Sequence, residues 1–247
     1  MPTLKNRELY RLPVPTIDWA FLIGCGLTIM AVLGGLVYAF QWYGGDFVDG
    51  LDEQIGELTA IRARSSLTAG MSEEASRLFE EALAIPFLDE GQRLFCIHDF
   101  STLLIDEEKY DQALEWIEEG ARSHSNDQKL AYLRFRALKE SGRNEETLAA
   151  VVLWYAVGER TDNVDAMRAA KFAEAVEYRD SRRPEQALNA FLAAHELRPG
   201  ADTALRAATL CIQLGETDRA RALLTEAARM PGGNSQAVQE LLEQVTE

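Results

Sequence analysis

Hydrophobic and polar positions follow two different patterns along this chain. Between Ala20 and Phe40, 21 consecutive residues carry no formal charge. Beyond residue 50, apolar positions recur at helical spacing, and the alternation typical of strands is almost absent. The pattern predicts an all-α protein with one long apolar helix near its N-terminus and a helical domain over residues 51–247.

The apolar stretch predicts a transmembrane helix over residues 17–43. At about 1.5 Å per residue, a helix of this length crosses the ~30 Å hydrocarbon core of a bilayer. Trp19 lies at one end and Trp42 and Tyr43 at the other, where aromatic rings settle at the headgroups. A cleaved signal peptide has a shorter apolar core. The residues before Cys25 resemble a lipoprotein signal, and lipidation is an open alternative although the apolar stretch continues well past that cysteine.

Charged residues beside the helix predict its orientation. Lys5, Arg7 and Arg11 precede it, whereas acidic residues follow it. Under the positive-inside rule, residues 1–16 form a cytoplasmic tail, and the domain that follows a linker over residues 44–50 is extracytoplasmic. This predicts a single-pass protein of a bacterial-type inner membrane with a periplasmic domain.

One face of the predicted membrane helix carries small residues, which let another helix approach closely. Small residues are also common in membrane helices without such pairing, and both interpretations stay open. The candidates for helix packing are Gly24, Thr28, Ala31, Gly35 and Ala39.

Within the helical domain, residues 171–199 form the clearest repeated unit. Small residues at two positions let antiparallel helices touch, and aromatic residues fill the space toward the neighbouring pair. Pro184 suits the first position of the second helix, where its missing N–H costs nothing. The unit resembles a tetratricopeptide repeat (TPR) through Ala175, Tyr178, Ala187, Phe191, Ala194 and Pro199.

Similar units recur along the domain at a spacing close to that of the TPR family, whose period is about 34 residues. Apolar residues over 235–246 predict a helix that caps the last unit. The expected fold is therefore an α-solenoid of about five degenerate TPR-like helix pairs with a C-terminal capping helix. Intervals of 38, 34, 40 and 33 residues separate the equivalent positions Ala75, Ala113, Thr147, Ala187 and Ala220.

The repeats also depart from the family pattern at predictable places. The longest interval is explained by a polar turn over residues 158–163. Trp154 replaces a small residue in the weakest unit, which puts the packing there in question. Ser72, Asn144 and Thr217 occupy one equivalent position before the second helices and are expected to act as N-caps.

The composition argues against several classes of function. Lys plus Arg total 25 against 40 for Asp plus Glu, a formal net charge of −15, which argues against binding nucleic acid. The three cysteines form no closed disulfide framework. The sequence has no motif for a phosphate-binding loop, a nucleophile elbow or a zinc-protease helix, and His98, His124 and His195 fall in different repeats. The sequence therefore predicts no catalytic residue, cofactor or metal, and a protein that is not an enzyme.

In TPR proteins the first helices of successive pairs line a concave groove that binds peptides, and the resemblance implies such a groove here. The candidate groove residues include four bases and no acid, which predicts a basic, partly aromatic strip for an acidic or C-terminal carboxylate peptide. The alternative is a slip in register that leaves these bases scattered over the surface. The candidates are Arg64, His98, Tyr132, Arg136, Lys139, Phe172 and Arg179.

The layout resembles ancillary translocon-type and envelope-assembly TPR proteins. This resemblance implies a membrane-anchored protein–protein interaction scaffold that recruits or assembles partners through its extracytoplasmic domain. The alternative is an accessory structural subunit of a larger membrane complex, held mainly by its transmembrane helix.

Overall fold

The computed structural model describes residues 52–85, 88–233 and 236–245, which form α-helices joined by short turns. Within these residues, α1 covers residues 52–68. The helices that follow are α2 (Ser72–Leu83), α3 (Glu90–Asp106), α4 (Tyr110–Ser123), α5 (Gln128–Glu140), α6 (Asn144–Arg160), α7 (Val164–Asp180), α8 (Pro184–Leu197), α9 (Ala201–Gln213), α10 (Thr217–Arg229) and α11 (Gln236–Gln244).

The predicted transmembrane helix over residues 17–43 lies outside the described residues. Among the helices of the described part, none is long and apolar enough to cross a membrane. The structure thus concerns the helical domain. Also outside the described residues are Cys25 and the helix-packing candidates Gly24, Thr28, Ala31, Gly35 and Ala39.

Consecutive helices pack against each other in the order of the sequence. The contacts run from α2 through α10 without a break, and α11 packs on α10. We call α1, α3, α5, α7 and α9 the first helices, and α2, α4, α6, α8 and α10 the second helices. Over the described residues, the predicted five helix pairs and the capping helix are confirmed.

Small residues set the distance between helices. Ala63, Ala75, Ala113, Ala175 and Ala187 are completely buried. An alanine at a helix crossing places no long side chain between the two backbones, so the helices approach closely. The alanine positions that carried the sequence prediction are therefore the contact points of the solenoid.

Trp154, at a position where the repeats usually have a small residue, is accommodated by ring packing. Its side chain is only 8% exposed. The centre of a Trp154 ring lies 5.8 Å from the ring of Phe135 and 5.2 Å from that of Tyr132, both on α5. Aromatic pairs at such distances add to the stabilisation from burial. An aromatic cluster thus holds the third pair together.

The turns between the two helices of each pair share one backbone conformation. The residue at the centre of the turn has a positive φ, and the N–H of the next residue donates to a carbonyl five residues earlier. In the fourth pair, this bond joins Arg183 N–H to the Tyr178 carbonyl at 2.8 Å. The arrangement is a Schellman motif, which ends a helix. The central residues are Gly70 (75°), Glu108 (61°), Gly142 (74°), Arg182 (58°) and Gly215 (79°).

The prediction of Ser72, Asn144 and Thr217 as N-caps is wrong. Each is the first residue of its helix, and the residue before it holds the N-cap position without a side-chain cap bond. The second helix begins directly after the Schellman turn, and the serine, asparagine and threonine already belong to its first turn. Side-chain caps occur before first helices instead, at Asp89, Asp127 and Asn163.

The expected polar turn over residues 158–163 is reduced to its last three residues, because α6 continues to Arg160. Gly158 is buried inside this helix. A Cβ atom at Gly158 would lie 2.7 Å from Cγ and 3.1 Å from the backbone nitrogen of Met167. The glycine therefore lets the beginning of α7 pass close to the end of α6. The extra residues of the interval lengthen α6 and α7, which have 17 residues each against 14 in α8 and 13 in α9.

Candidate functional site

Side chains of each first helix contact those of the next, and these contacts define one surface of the domain. Arg64 of α1 bonds to Asp99 of α3, and Arg206 of α9 lies over Phe172 of α7. We call this surface the first-helix face. It carries Arg64, Phe95, Asp99, Asp106, Lys129, Tyr132, Arg136, Lys139, Phe172, Arg179, Leu205 and Arg206.

At the N-terminal end of the face, α3 holds Arg64 with two groups. Nε of Arg64 lies 2.9 Å from Oδ2 of Asp99, and its guanidinium group lies 5.3 Å from the centre of the Phe95 ring. The other oxygen of Asp99 lies 3.5 Å from Nζ of Lys129 on α5. One carboxylate therefore links three first helices.

In the middle of the face, Arg136 and Lys139 of α5 connect to the helices on either side. Arg136 donates to Asp106 of α3 at 2.6 Å and to Glu140 of its own helix at 2.7 Å. Partial burial lowers the pKa of the guanidinium group, but the bonds to the two carboxylates outweigh burial and raise it above its usual value. Lys139 donates to Glu177 of α7, which is buried. Arg136 therefore joins α5 to α3, and Lys139 joins α5 to α7.

Every candidate base of the face has a carboxylate partner. The described carboxylates pair with all four candidate bases, the fourth being Arg179, whose Nη2 lies 2.8 Å from Asp180. The partners stand on neighbouring first helices or one position along the same helix. The sequence register selected only a few positions per helix and left these acids out, and the binding of an acidic peptide to this strip stays a prediction.

His98 lies beneath the face. It is 5% exposed, and its Nε2 lies 2.9 Å from Oδ1 of Asp127. The same oxygen accepts from the backbone N–H of Leu130 at 2.7 Å and caps α5. Burial raises the pKa of Asp127, but the bonds from His98 and Leu130 outweigh it and lower the pKa overall. The carboxylate is therefore ionised and can only accept, so His98 Nε2 carries the proton. The ring joins two repeats and is not open to a ligand.

Two aromatic rings of the face remain open to solvent. Phe95 on α3 is 54% exposed and Tyr132 on α5 is 40% exposed. Ile61 on α1 is also about half exposed. These side chains stand on three consecutive first helices, beside the ion pairs of Asp99 and Arg136. The N-terminal half of the face is therefore apolar and aromatic between neutralised charges.

The C-terminal half of the face contains a cleft between α7 and α9 of about 300 Å³. Its floor includes Phe191 of α8, whose ring packs edge-on against Phe172 at 5.3 Å. Leu205 and Leu210 add apolar lining. The cleft is also lined by Arg179, Asp202, Arg206, Thr209 and Gln213.

Sequence reasoning missed Phe95, Leu205 and Arg206. The signal for Leu205 was present, because the 33-residue interval from Ala187 to Ala220, added to Phe172, leads to Leu205. Phe95 stands at a position of the first helix that the predicted register did not include. The structure brings Phe172 and Arg179 to the α7–α9 region, Tyr132, Arg136 and Lys139 to α5, and Arg64 beside Phe95. It removes His98 from the exposed surface.

Two observations bear on the chemistry open to the described residues. No cluster of ligating side chains suited to a metal ion occurs in residues 52–85, 88–233 and 236–245. Burial raises the pKa of the Cys96 thiol to about 11 and also raises that of Cys211, which disfavours the reactive thiolate in both.

The helix pairs, Schellman turns and buried alanines give the described helices the fold of tetratricopeptide repeat proteins. No protein-family model matches the chain, and no curated protein matches its sequence. The solved structures it resembles are TPR proteins.

MamA (residue 41 to the end) from Desulfovibrio magneticus RS-1 superposes with a TM-score of 0.55 at 16% identity, over 78% of this chain and 97% of that one. Yeast Tom70 superposes with a TM-score of 0.58 at 14% identity, over 84% of this chain and 42% of Tom70. YrrB is described as a TPR protein with an unusual peptide-binding site. It superposes with a TM-score of 0.52 at 17% identity, over 76% of this chain and 90% of YrrB. These identities show a shared fold alone.

Proposed function

We propose that this chain is a protein-interaction scaffold whose first-helix face binds an extended segment of a partner protein. The observation that carries the proposal is the exposure of Phe95 and Tyr132, 54% and 40%, on consecutive first helices. Aromatic side chains are enriched at the centres of protein interfaces. Most other aromatic side chains of the described repeats pack in the cores. Large apolar side chains exposed on the same face of a protein are a feature of binding surfaces.

The ion pairs around these rings support the same proposal. Arg64, Asp99 and Lys129 connect three first helices through charged contacts. A surface built this way is held in place before a partner arrives, so less conformational entropy is lost on binding. YrrB, whose fold is similar, is described as having a peptide-binding site. The corresponding binding mode in this chain is a partner segment that lies across the first helices.

The proposal includes a membrane anchor. A helix over residues 17–43 would hold the domain at a bacterial-type inner membrane, with the N-terminus cytoplasmic and the domain periplasmic. Its support is the uncharged stretch of 21 residues and the bases that precede it. An anchor concentrates the face at the membrane, where a scaffold can recruit or assemble partners.

Photo-crosslinking in cells of the source organism tests the binding face. A photoreactive phenylalanine analogue replaces Tyr132 or Phe95 in the full-length chain, and the matched control carries it at the exposed Ala149 of α6. We expect one set of crosslinked proteins from the two face positions and none of them from the control. Equal crosslinking at all three positions, or none at the face, would overturn the proposal.

Two further measurements address the anchor. A cysteine introduced at the exposed Ala149 should react with a membrane-impermeant thiol reagent from the periplasmic side, and reaction only after the inner membrane is permeabilised would contradict the orientation. Replacing Gly35 and Ala39 with leucine tests the alternative of an accessory subunit. If the larger membrane complex is lost while crosslinking at Tyr132 is retained, the membrane helix is favoured as the element that holds the chain in that complex.

A further inference from the structure

Helix α1 is the first helix of the described solenoid, and one side of it exposes large aliphatic side chains. Ile55, Leu58 and Ile61 are 52%, 61% and 51% exposed. Residues three apart on a helix are neighbours, with Cβ atoms about 5–6 Å apart. The three side chains therefore form one continuous surface, which we call the α1 stripe. Leu58 stands at its centre, and Ile61, three residues before Arg64, borders the first-helix face.

The α1 stripe lies on the side of the helix that faces away from the repeats. Gly56, Ala60 and Ala63 are buried on the opposite side, against the helices that follow. Repeats of a solenoid contact only their neighbours, so the outer side of an end helix has no repeat to cover it and is usually polar. Helix α11 has such a polar outer side, and α1 does not. Apart from Ala237, the exposed residues of α11 are Gln236, Gln239, Glu240, Glu243 and Gln244.

The charges of α1 are divided between its two halves. Asp52, Glu53 and Glu57 lie in the first half, and Arg62 and Arg64 lie in the second. When two copies of α1 lie antiparallel, the acidic half of each helix runs beside the basic half of the other. The helix dipoles then also oppose each other, which is the favourable orientation. A parallel arrangement would place like charges side by side, so α1 is complementary to itself when antiparallel.

We propose that α1 binds the α1 of a second copy of this chain, antiparallel across a two-fold axis, with the two α1 stripes buried against each other around Leu58. A two-fold interface uses the same surface on both chains, and this surface must therefore be self-complementary. The axis is perpendicular to both helices and can stand along the membrane normal, so two chains anchored in one membrane can form the pair. This inference goes beyond the proposed function, because the partner is the chain itself and the surface is the outer side of α1.

Single cysteines at three exposed positions of α1 test the arrangement in native membranes. Each is introduced into a full-length chain whose three native cysteines are serine, and copper–phenanthroline is the oxidant. Copies of Leu58→Cys should crosslink to each other, because the axis passes beside this position. Copies of Gln54→Cys and of Ser65→Cys should not, because antiparallel pairing about Leu58 separates them by about 12 Å and about 21 Å along the helices, beyond the reach of a disulfide.

Two outcomes of this experiment would overturn the proposal. Crosslinks at all three positions would indicate a parallel pair. No crosslink at Leu58→Cys would mean that lipid or another part of the chain covers the α1 stripe.

The mass of the full-length chain in mild detergent, measured by light scattering, tests whether the stripe holds the pair together. Gly35→Leu and Ala39→Leu are included throughout, so that the small residues of the predicted membrane helix make no contribution. We expect a protein mass of twice 27.5 kDa and a dimer that Leu58→Gln weakens at least about tenfold. Val152→Gln is the matched control, because Val152 on α6 is 60% exposed and lies outside the stripe.

A charge reversal tests the antiparallel orientation in the same measurement. Arg62→Glu should weaken the dimer at least about threefold, whereas Arg77→Glu, at an exposed position of α2, should leave it unchanged. A monomeric parent chain, or equal dimer stability in Leu58→Gln and Val152→Gln or in Arg62→Glu and Arg77→Glu, would overturn the proposal. Crosslinking of partners at Tyr132 does not depend on this pair, so it separates this inference from the proposed function.

Discussion

Asp127 performs two tasks with one oxygen atom, and removing its side chain tests both. In Asp127→Ala, α5 loses the cap on Leu130 N–H, which costs about 1 kcal/mol. The buried His98 also loses its partner, and an unpaired buried polar group costs about 1–3 kcal/mol. We therefore expect a loss of about 2–4 kcal/mol in the free energy of unfolding.

Asp89→Ala is the matched control. Asp89 caps α3 by accepting from the backbone N–H of Gln92 at 3.1 Å and has no buried partner, so its removal should cost about 1 kcal/mol. Thermal unfolding of the full-length chain in mild detergent, followed by circular dichroism at 222 nm, measures both. For a chain of this size, 1 kcal/mol corresponds to about 2–4 °C in Tm. Asp127→Ala should then lower Tm by about 5–15 °C and Asp89→Ala by about 2–4 °C. Equal losses would refute the role of His98.

The pH dependence gives an independent check on Asp127. Its pKa in the folded chain is lowered, with the bonds from His98 and Leu130 outweighing burial. Its contribution is therefore complete above the unfolded pKa of about 3.9 and disappears as pH falls through the lower folded value. The Tm difference between the wild type and Asp127→Ala should narrow as the pH falls below about pH 4. A difference that stays the same down to pH 3 would show that the carboxylate charge plays no part.

Three further outcomes follow from single positions and are measured on the same full-length chain. Arg182→Gly should raise the free energy of unfolding and Gly215→Ala should lower it, each by about 0.5–1 kcal/mol, because both positions have positive φ; changes of the same sign would contradict the turn geometry. Gly158→Ala should destabilise by about 1–3 kcal/mol because the new Cβ meets Met167, whereas a loosely packed helix would gain stability from alanine. In a chain whose other cysteines are serine, Cys96 should react with a thiol reagent at pH 8 only as fast as the domain unfolds, since burial raises its pKa to about 11; immediate labelling would contradict its burial.

The sequence was most informative about the helices and their pairing. The recurrence of alanine at Ala75, Ala113 and Ala187 predicted the contact points, because close packing of two helices excludes larger side chains at their crossing. It was wrong about the N-caps, because each of these helices begins one residue earlier than expected and the candidate cap already belongs to its first turn. It also gave no sign of the turns at Glu108 and Arg182, since neither residue type indicates that its backbone adopts a conformation usual for glycine.

The sequence by itself determined which segments are helical, how many pairs they form and where the small residues bring them together, because these properties depend on local periodicity and on a repeat of nearly constant length. Only the tertiary structure decided the character of the first-helix face. Arg136 is paired with Asp106, thirty residues away, and Leu205 lines a cleft together with Arg179 of α7 and Phe191 of α8. Charge pairing and cavity shape depend on the distances between atoms of different helices, and a one-dimensional pattern does not contain those distances.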